Sequence, residues 1–248
     1  MELSSPLLLL FDVSQDEVRS KFDAFVAQND RISIDPLGLA EKSRTLIVSD
    51  GLTLECVWTV SQPNTEEFRK IFSTISDDSI RCLMGLTLHP HLEGGLKIPE
   101  IARAYLALGA MLAKHLGAIS VVWKPAGLQT GVDYFVESVE LYVSGGVFPV
   151  LPTIDFAYGE EGRVLRSNGA AFFCDQEFEL RSEQLDRQSL MRRAIRFAHD
   201  LATKGAVEDA QNVPDMDFDK VIQLLPSADG TLLRCCIVSK TDKVLTLG

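Results

Sequence analysis

Two apolar runs constrain the fold of this chain most strongly. The first extends from Leu7 to Phe11 and the second from Ala118 to Trp123, and neither alternates apolar with polar residues as a strand with one wet face would. Continuous apolar runs of this length are typical of β-strands that are covered on both faces. We therefore expect each run to be a strand that is covered on both of its faces.

Segments with helical periodicity separate the strand-like segments. Ser14 and Glu17 have the spacing of a capping box, and Val18 and Phe22 then begin an apolar stripe. Gly117 is a natural end for the alanine-rich helix that starts near residue 99. The patterns predict helices near residues 14–28, 65–75, 99–117, 130–143 and 183–204.

Turn signals and alternating positions predict further strands. Asp50-Gly51 and Asp229-Gly230 lie between apolar segments and predict tight hairpins, because glycine readily adopts the positive φ that such turns require. From Phe148 to Tyr158 the apolar positions keep a period of two, which predicts a half-exposed strand. Ala170 to Phe173 is predicted as another strand.

The order of these elements indicates the fold class. Helices alternate with hairpins, which favours an α+β fold with mostly antiparallel sheets and helices packed on one face over a doubly wound parallel sheet. We expect two α+β subdomains, residues 1–95 and residues 96–248. Val57-Trp58 and Val122-Trp123 are each followed seven residues later by threonine and a predicted helix, which raises the alternative of two duplicated ferredoxin-like halves.

The charge of the chain limits its partners. With 24 Lys and Arg against 35 Asp and Glu, the formal net charge of this acidic protein is −11. The negative electrostatic field of a chain with this charge repels phosphate backbones and anionic lipid headgroups, so we expect no nucleic acid and no membrane partner. Several arginines cluster late in the chain, but Glu183 and Asp186 interleave with them, so we expect a solvated helix face there. The clustered residues are Arg181, Arg187, Arg192, Arg193 and Arg196.

The cysteines point to a reducing compartment. The chain has five of them, an odd number without a C-x-x-C pair, which argues against a disulfide framework and against a zinc site. We expect free thiols in the core, a cytoplasmic location, no metal and no cofactor. The most apolar helix candidate, Ala104 to Ala113, is too short to cross a bilayer.

The C-terminal part of the chain resembles a known type of domain. The helix that follows Ile101, the step Gly117 to Trp123 (GAISVVW), Phe135 to Glu137 and the segment Gln176 to Leu180 (QEFEL) carry the resemblance. Over about residues 101–240 the chain resembles a bacterial domain family of unknown function. The resemblance implies a cytoplasmic bacterial α+β domain, and it carries over no catalytic residues.

The first candidate site is a histidine-bearing loop after a predicted strand. The usual phosphate-loop, hydrolase-elbow and metalloprotease signatures are missing from the chain, which lowers the expectation of enzymatic activity. His89, His91 and Glu93 nevertheless combine two imidazoles with a carboxylate, groups that transfer protons or bind ligands near neutral pH. The competing interpretation is an exposed polar loop.

Lys97 extends this candidate toward anion binding. It follows Gly94-Gly95 and precedes a predicted helix, whose free N–H groups and dipole attract negative charge. Glu93 and Glu100 oppose an anion there, and a flexible joint is the competing interpretation.

A second candidate is a pair of carboxylates. Glu177 and Glu179 flank Phe178, so on a strand both side chains point to the same face, as an acid and base pair requires. Most pairs of this kind are simply solvated.

Taken together, the residues favour a non-enzymatic binding or protein-interaction module that recognises another protein. The alternative is a small-molecule enzyme or metal-binding protein that uses the loop from His89 to Glu93, with Glu177 and Glu179 as acid and base.

Overall fold

The computed structural model describes residues 5–35, 43–60, 68–73, 79–217 and 219–240. The chain forms two compact units, which we call unit 1 (Met1–Pro152) and unit 2 (Thr153–Gly248). The predicted boundary between residues 95 and 96 falls inside unit 1, whereas the two units divide after Pro152.

Unit 1 is built on one eight-stranded sheet. Its strands are β1 (Leu7–Phe11), β2 (Ile32–Ile34), β3 (Arg44–Ser49), β4 (Leu52–Thr59), β5 (Arg69–Ile71), β6 (Cys82–Leu88), β7 (Ser120–Trp123) and β8 (Leu128–Gly131). Its helices are α1 (Gln15–Ala27), α2 (Pro99–Leu116) and α3 (Val132–Val143), and the single turn α4 (Val150–Thr153) follows. The strand order is β2-β3-β4-β6-β1-β7-β8-β5, and every neighbouring pair is antiparallel except β5 with β8.

Strand β1 lies inside this sheet and explains the position of the boundary. It pairs with β6 on one side and with β7 on the other, so segments from both sides of residue 95 belong to one sheet. All five of its residues are buried, as are all four of β7. Leu8 and Leu10 form a core cluster with Ile80, Leu83 and Val122. The prediction of strands covered on both faces is confirmed.

Helix α2 packs closely against this central strand. It begins with Pro99 in its first turn and ends at Gly117, whose φ of 73° is the left-handed conformation that a helix C-cap favours. A side chain at Gly109 would collide with Leu7 of β1, so glycine permits the close approach. The buried Tyr105 hydroxyl donates a 2.6 Å hydrogen bond to the carbonyl oxygen of Leu86 in β6. The predicted helix is confirmed, and its small residues lie where the sheet is nearest.

Two further predictions in unit 1, a hairpin and a helix, have different outcomes. Asp50 and Gly51 both have positive φ and join β3 to β4, as the hairpin prediction requires. The helix predicted over residues 65–75 is wrong in its described part, where β5 pairs in parallel with β8. Phe72 has a φ of 50°, which a helix cannot accommodate. The remainder of that predicted helix lies outside the described residues.

Unit 2 contains a six-stranded sheet. Its strands are β9 (Asp155–Tyr158), β10 (Val164–Asn168), β11 (Glu177–Arg181), β12 (Gln211–Pro214), β13 (Lys220–Pro226) and β14 (Leu232–Ser239), and its helices are α5 (Ala171–Cys174) and α6 (Arg187–Lys204). The order is β12-β13-β14-β11-β10-β9, and only β11 with β14 is parallel. Phe178 of β11 and Phe197 of α6 meet edge to face, with ring centroids 5.2 Å apart, so helix and sheet share one core.

Two predicted strands are partly or wholly helical. The strand predicted from Ala170 to Phe173 is instead the start of α5, which begins at Ala171. The strand predicted from Phe148 to Tyr158 contains the turn α4, and β9 begins only at Asp155. The short apolar runs were compatible with either structure, because periodicity does not separate a strand from a buried helical turn over four residues. The hairpin predicted at Asp229-Gly230 is confirmed as the turn between β13 and β14.

The predicted α+β class with mostly antiparallel sheets is confirmed, but a duplication is not. Trp58 and Trp123 lie in the same sheet of unit 1. In the described residues, β4 with Trp58 is followed by β5, whereas β7 with Trp123 is followed by β8 and α3. Among the described helices, none is long and apolar enough to cross a membrane.

Candidate binding groove

A groove of about 730 Å³ opens in unit 2 along one side of α6. Such a volume is within the range of about 300–1,000 Å³ that is usual for ligand sites. The residues that α6 contributes are spaced three or four positions apart, the period of one helical face. They are Arg193, Arg196, Phe197, Asp200, Leu201 and Lys204.

The floor of the groove is an apolar face of the hairpin β12–β13. Ile222 and Leu224 are buried residues of β13, and their antiparallel partners in β12 are Val213 and Gln211. Alternate residues of paired strands share a face, so all four point to the same side of the sheet. Together with Phe197 from α6, they give the groove a mainly apolar base.

Arg193 joins α6 to the segment between β12 and β13. Its Nε lies 2.9 and 3.0 Å from the two carboxylate oxygens of Asp215, and its Nη2 lies 2.8 Å from Asp215 Oδ2 and 2.6 Å from Asp217 Oδ2. The side chain of Arg193 is only 8% exposed and that of Asp215 is fully buried. The hydrogen bonds that Arg193 donates to Asp215 raise the pKa of its guanidinium, which therefore stays charged. This contact holds one wall of the groove in place.

The outer part of the groove is charged and ends at a sheet edge. Glu208, Asp209 and Arg196 are exposed on its rim, and Met216 is 50% exposed. Strand β12 is the terminal strand of the sheet and pairs with β13 alone among the described strands. Its outer edge therefore presents backbone N–H and C=O groups beside the groove.

The histidine-bearing loop lies in unit 1, between β6 and α2. The Nδ1 atoms of His89 and His91 face each other at 2.6 Å, with ring centroids 4.8 Å apart. His89 is half-buried, whereas His91 and Glu93 are exposed. The structure thus brings the two imidazoles together. Within the described residues, no three His, Cys, Asp or Glu side chains converge as a set of metal ligands.

Lys97 lies in a short 3₁₀ turn, Gly95–Lys97, that precedes α2 and is exposed. Gly94 has a φ of 78°, so the chain turns sharply between Glu93 and this segment. The interpretation of Lys97 as part of an anion-binding site stays a prediction.

Glu177 caps a helical turn. One carboxylate oxygen accepts hydrogen bonds from the backbone N–H groups of Gly169 at 2.7 Å and Ala171 at 3.1 Å, and the other accepts from the Ser167 hydroxyl at 2.5 Å and from Ala170 N–H at 3.3 Å. These donors surround the start of α5, where N–H groups lack partners inside the helix. Both oxygens of Glu177 are thus engaged in holding the turn between β10 and α5.

Glu179 is bound to arginines. Its carboxylate accepts a 2.8 Å hydrogen bond from Arg166 Nε and lies 3.5 Å from Arg181 Nη2, while the side chain is 14% exposed. Glu177 and Glu179 are on the same strand two positions apart, as predicted, yet each is committed to different partners. The geometry assigns them to structure more readily than to proton transfer.

Sequence reasoning missed the groove and the role of Arg193. Four of the five clustered arginines are exposed as expected, but Arg193 is buried, which corrects the prediction of a solvated face at that position. The available signal was its place within the apolar stripe formed by Leu190, Ala194 and Phe197. An arginine inside such a stripe requires a buried acceptor, which the acidic segment from Asp215 to Asp217 supplies.

Comparison of the chain with protein-family models, with curated proteins and with solved structures gives no match. The resemblance to a bacterial domain family of unknown function therefore stays a prediction.

Proposed function

We propose that the protein is a non-enzymatic binding module, and that unit 2 holds an extended segment of a partner protein along the outer edge of β12. The observation that carries the proposal is the apolar groove immediately beside an edge strand. Extended peptide segments commonly bind such edges by adding a strand, with backbone hydrogen bonds for affinity and pockets for alternate side chains.

The pleat of the sheet links the edge to the groove. A segment paired with β12 would direct every second side chain to the face that carries Gln211 and Val213. These two residues line the groove, so the incoming side chains would enter it. Pro214 lacks an N–H group, which limits the pairing to the stretch before it.

Charge suggests the composition of the bound segment. Glu208 and Asp209 are exposed on the rim, and the whole chain carries a net charge of −11. A segment with apolar residues at alternate positions would complement the apolar floor of the groove. A lysine or arginine near the acidic rim would complement the negative electrostatic field of the protein. Met216 adds an adaptable apolar surface at the same rim.

The enzyme alternative has less support. The carboxylates of Glu177 and Glu179 already bind backbone amides, a hydroxyl and guanidinium groups. A cytoplasmic location belongs to the same proposal, because the five cysteines are free in the structure.

The first prediction concerns the groove face of β12. Random 12-residue peptides displayed on phage and selected on the purified full chain should yield sequences with alternating apolar residues and a basic residue. Val213→Asp should weaken their binding at least tenfold, because it places a carboxylate on the apolar floor. Fluorescence anisotropy with synthetic peptides measures the dissociation constants.

Asn212→Asp is the matched control, since it adds the same charge to the opposite face of the same strand. Its affinity should equal that of the unmodified protein. Equal binding of the peptides to both variants, or failure of the selection to yield any binder, would contradict the proposal. Dimers of the protein that dissociate on Val213→Asp would point instead to a second copy at this edge.

A further inference from the structure

The two imidazoles after β6 face each other through the same ring atom. With Nδ1 to Nδ1 only 2.6 Å apart, His89 and His91 cannot present two lone pairs or two N–H groups to each other. One ring must therefore donate its Nδ1–H to the Nδ1 lone pair of the other. A metal ion can take the place of that hydrogen when the donor ring carries its proton on Nε2 instead, because both Nδ1 lone pairs are then free to bind the ion.

The backbone holds the two rings in this arrangement. The N–H of His89 donates to the carbonyl oxygen of Thr53 at 3.0 Å, which anchors the loop to the neighbouring strand β4. The carbonyl oxygen of His89 accepts from Leu92 at 2.8 Å, closing the turn that contains His91. Pro90 sits between the histidines at the start of this 3₁₀ turn and restricts its φ. Little conformational freedom therefore has to be lost when an ion binds.

The spacing of the nitrogens is close to that of neighbouring metal ligands. With metal–nitrogen bonds of about 2.0–2.1 Å, two nitrogens lie about 2.9 Å apart when they subtend a right angle and about 3.3 Å apart in a tetrahedron. The two nitrogens would have to separate by about 0.3 Å for the right angle and by about 0.7 Å for the tetrahedron. Because His91 is exposed, water can fill the remaining coordination positions.

We propose that His89 and His91 form a two-imidazole site for a late first-row divalent metal ion such as Zn²⁺. Imidazole is a common ligand for these ions, and the observation is independent of the groove in unit 2. Since the described residues provide no third protein ligand, the ion would keep water molecules and exchange readily.

The second prediction is tested by NMR on ¹⁵N-histidine-labelled full-length protein titrated with Zn²⁺. The chain has four histidines, so His115 and His199 are internal references. The Nδ1 signals of His89 and His91 should shift together as Zn²⁺ is added, while the signals of His115 and His199 should stay in place.

His91→Asn should raise the apparent dissociation constant for Zn²⁺ at least tenfold, while His115→Asn, which changes an exposed histidine of the same unit, should leave it unchanged. Circular dichroism verifies that both variants fold. An unmoved His89 signal in excess Zn²⁺, equal shifts at all four histidines, or equal binding by His91→Asn and the unmodified protein would overturn the assignment.

Discussion

At the scale of single residues, Arg193 shows how one buried charge can organise a surface. A guanidinium inside an apolar helix face is unfavourable unless its hydrogen bonds are satisfied, and here Asp215 and Asp217 satisfy them from another segment. The bidentate contact with Asp215 has the planar geometry that arginine provides and lysine does not. The pair therefore holds the segment after β12 against α6.

The third prediction compares two arginines of the same helix. Arg193→Met should lower the free energy of unfolding of unit 2 by about 3–5 kcal/mol, because it leaves Asp215 buried without its partner. Arg196→Met, which removes an exposed arginine, should change it by less than about 0.5 kcal/mol. Native-state hydrogen exchange of the β13 amides measures the free energy of unfolding of unit 2 by itself. Similar changes in this free energy for both variants would contradict the role assigned to Arg193.

At the scale of elements, the contact between α2 and β1 depends on a missing side chain. Gly109 lies in the middle of α2, where glycine is unfavourable by about 1 kcal/mol relative to alanine. Its position against Leu7 explains why a poor helix former is present, since helix and strand could not otherwise approach so closely. Propensity and packing therefore have opposite effects at this position.

The fourth prediction separates these two effects. Gly109→Val improves helix propensity but should destabilise unit 1 by about 1–3 kcal/mol, because the new side chain overlaps Leu7 in a packed core. Ala107→Val in the same helix places valine at a half-buried position and should cost less than about 1 kcal/mol, mainly through propensity. Urea unfolding followed by tryptophan fluorescence measures the free energy of unfolding of unit 1, because this unit contains both tryptophans. A stabilising effect of Gly109→Val would refute the packing argument.

Elements with a local cause were predictable, and those with a distant cause were not. The Ser14 cap, the Gly117 helix end and the Asp50-Gly51 turn follow from backbone preferences within a few residues, and the structure contains all three. Strand β5 exists because a distant strand, β8, pairs with it. The turn α5 similarly depends on the carboxylate of Glu177, which follows the turn in the chain.

The same distinction between local and distant causes applies to the candidate sites. The sequence identified the two histidines as neighbours, yet the distance between their Nδ1 atoms depends on the local turn. Glu177 and Glu179 were correctly placed on one strand face, but their partners come from β10 and the turn after it. The groove was not predicted, because α6 and β12 contribute to it from separate segments that only folding brings together.

At the scale of the whole molecule, the cysteines are distributed over both units as thiols. Cys56 and Cys82 lie in unit 1, and Cys174, Cys235 and Cys236 lie in unit 2. Burial raises the pKa of Cys56 to about 12 and those of Cys82 and Cys174 to about 11, and it also raises the pKa of Cys235. The reactive thiolate form of these four cysteines is therefore scarce in the folded protein at moderately alkaline pH.

The fifth prediction follows from burial of four of these thiols and partial exposure of Cys236. At about pH 8 an aromatic disulfide reagent should react quickly with one thiol of the native protein and with the other four only after denaturation. Raising the pH to about 9 should not expose further fast thiols, because the elevated pKa values keep them protonated. Cys236→Ser should remove the fast phase, and a fast phase that persists in this variant would contradict the assignment.

The central position of β1 also has a consequence for how the protein is made. Leu7 to Phe11 leaves the ribosome before the strands that pair with it, which begin at Cys82 and Ser120. During translation this apolar segment must wait for both partners, since long-range pairing requires that the intervening chain already exists. A nascent chain that ends between β6 and β7 would leave one edge of β1 open, and such exposed edges promote aggregation. The strand that organises unit 1 is therefore also a segment of the nascent chain that can aggregate until β7 has been synthesised.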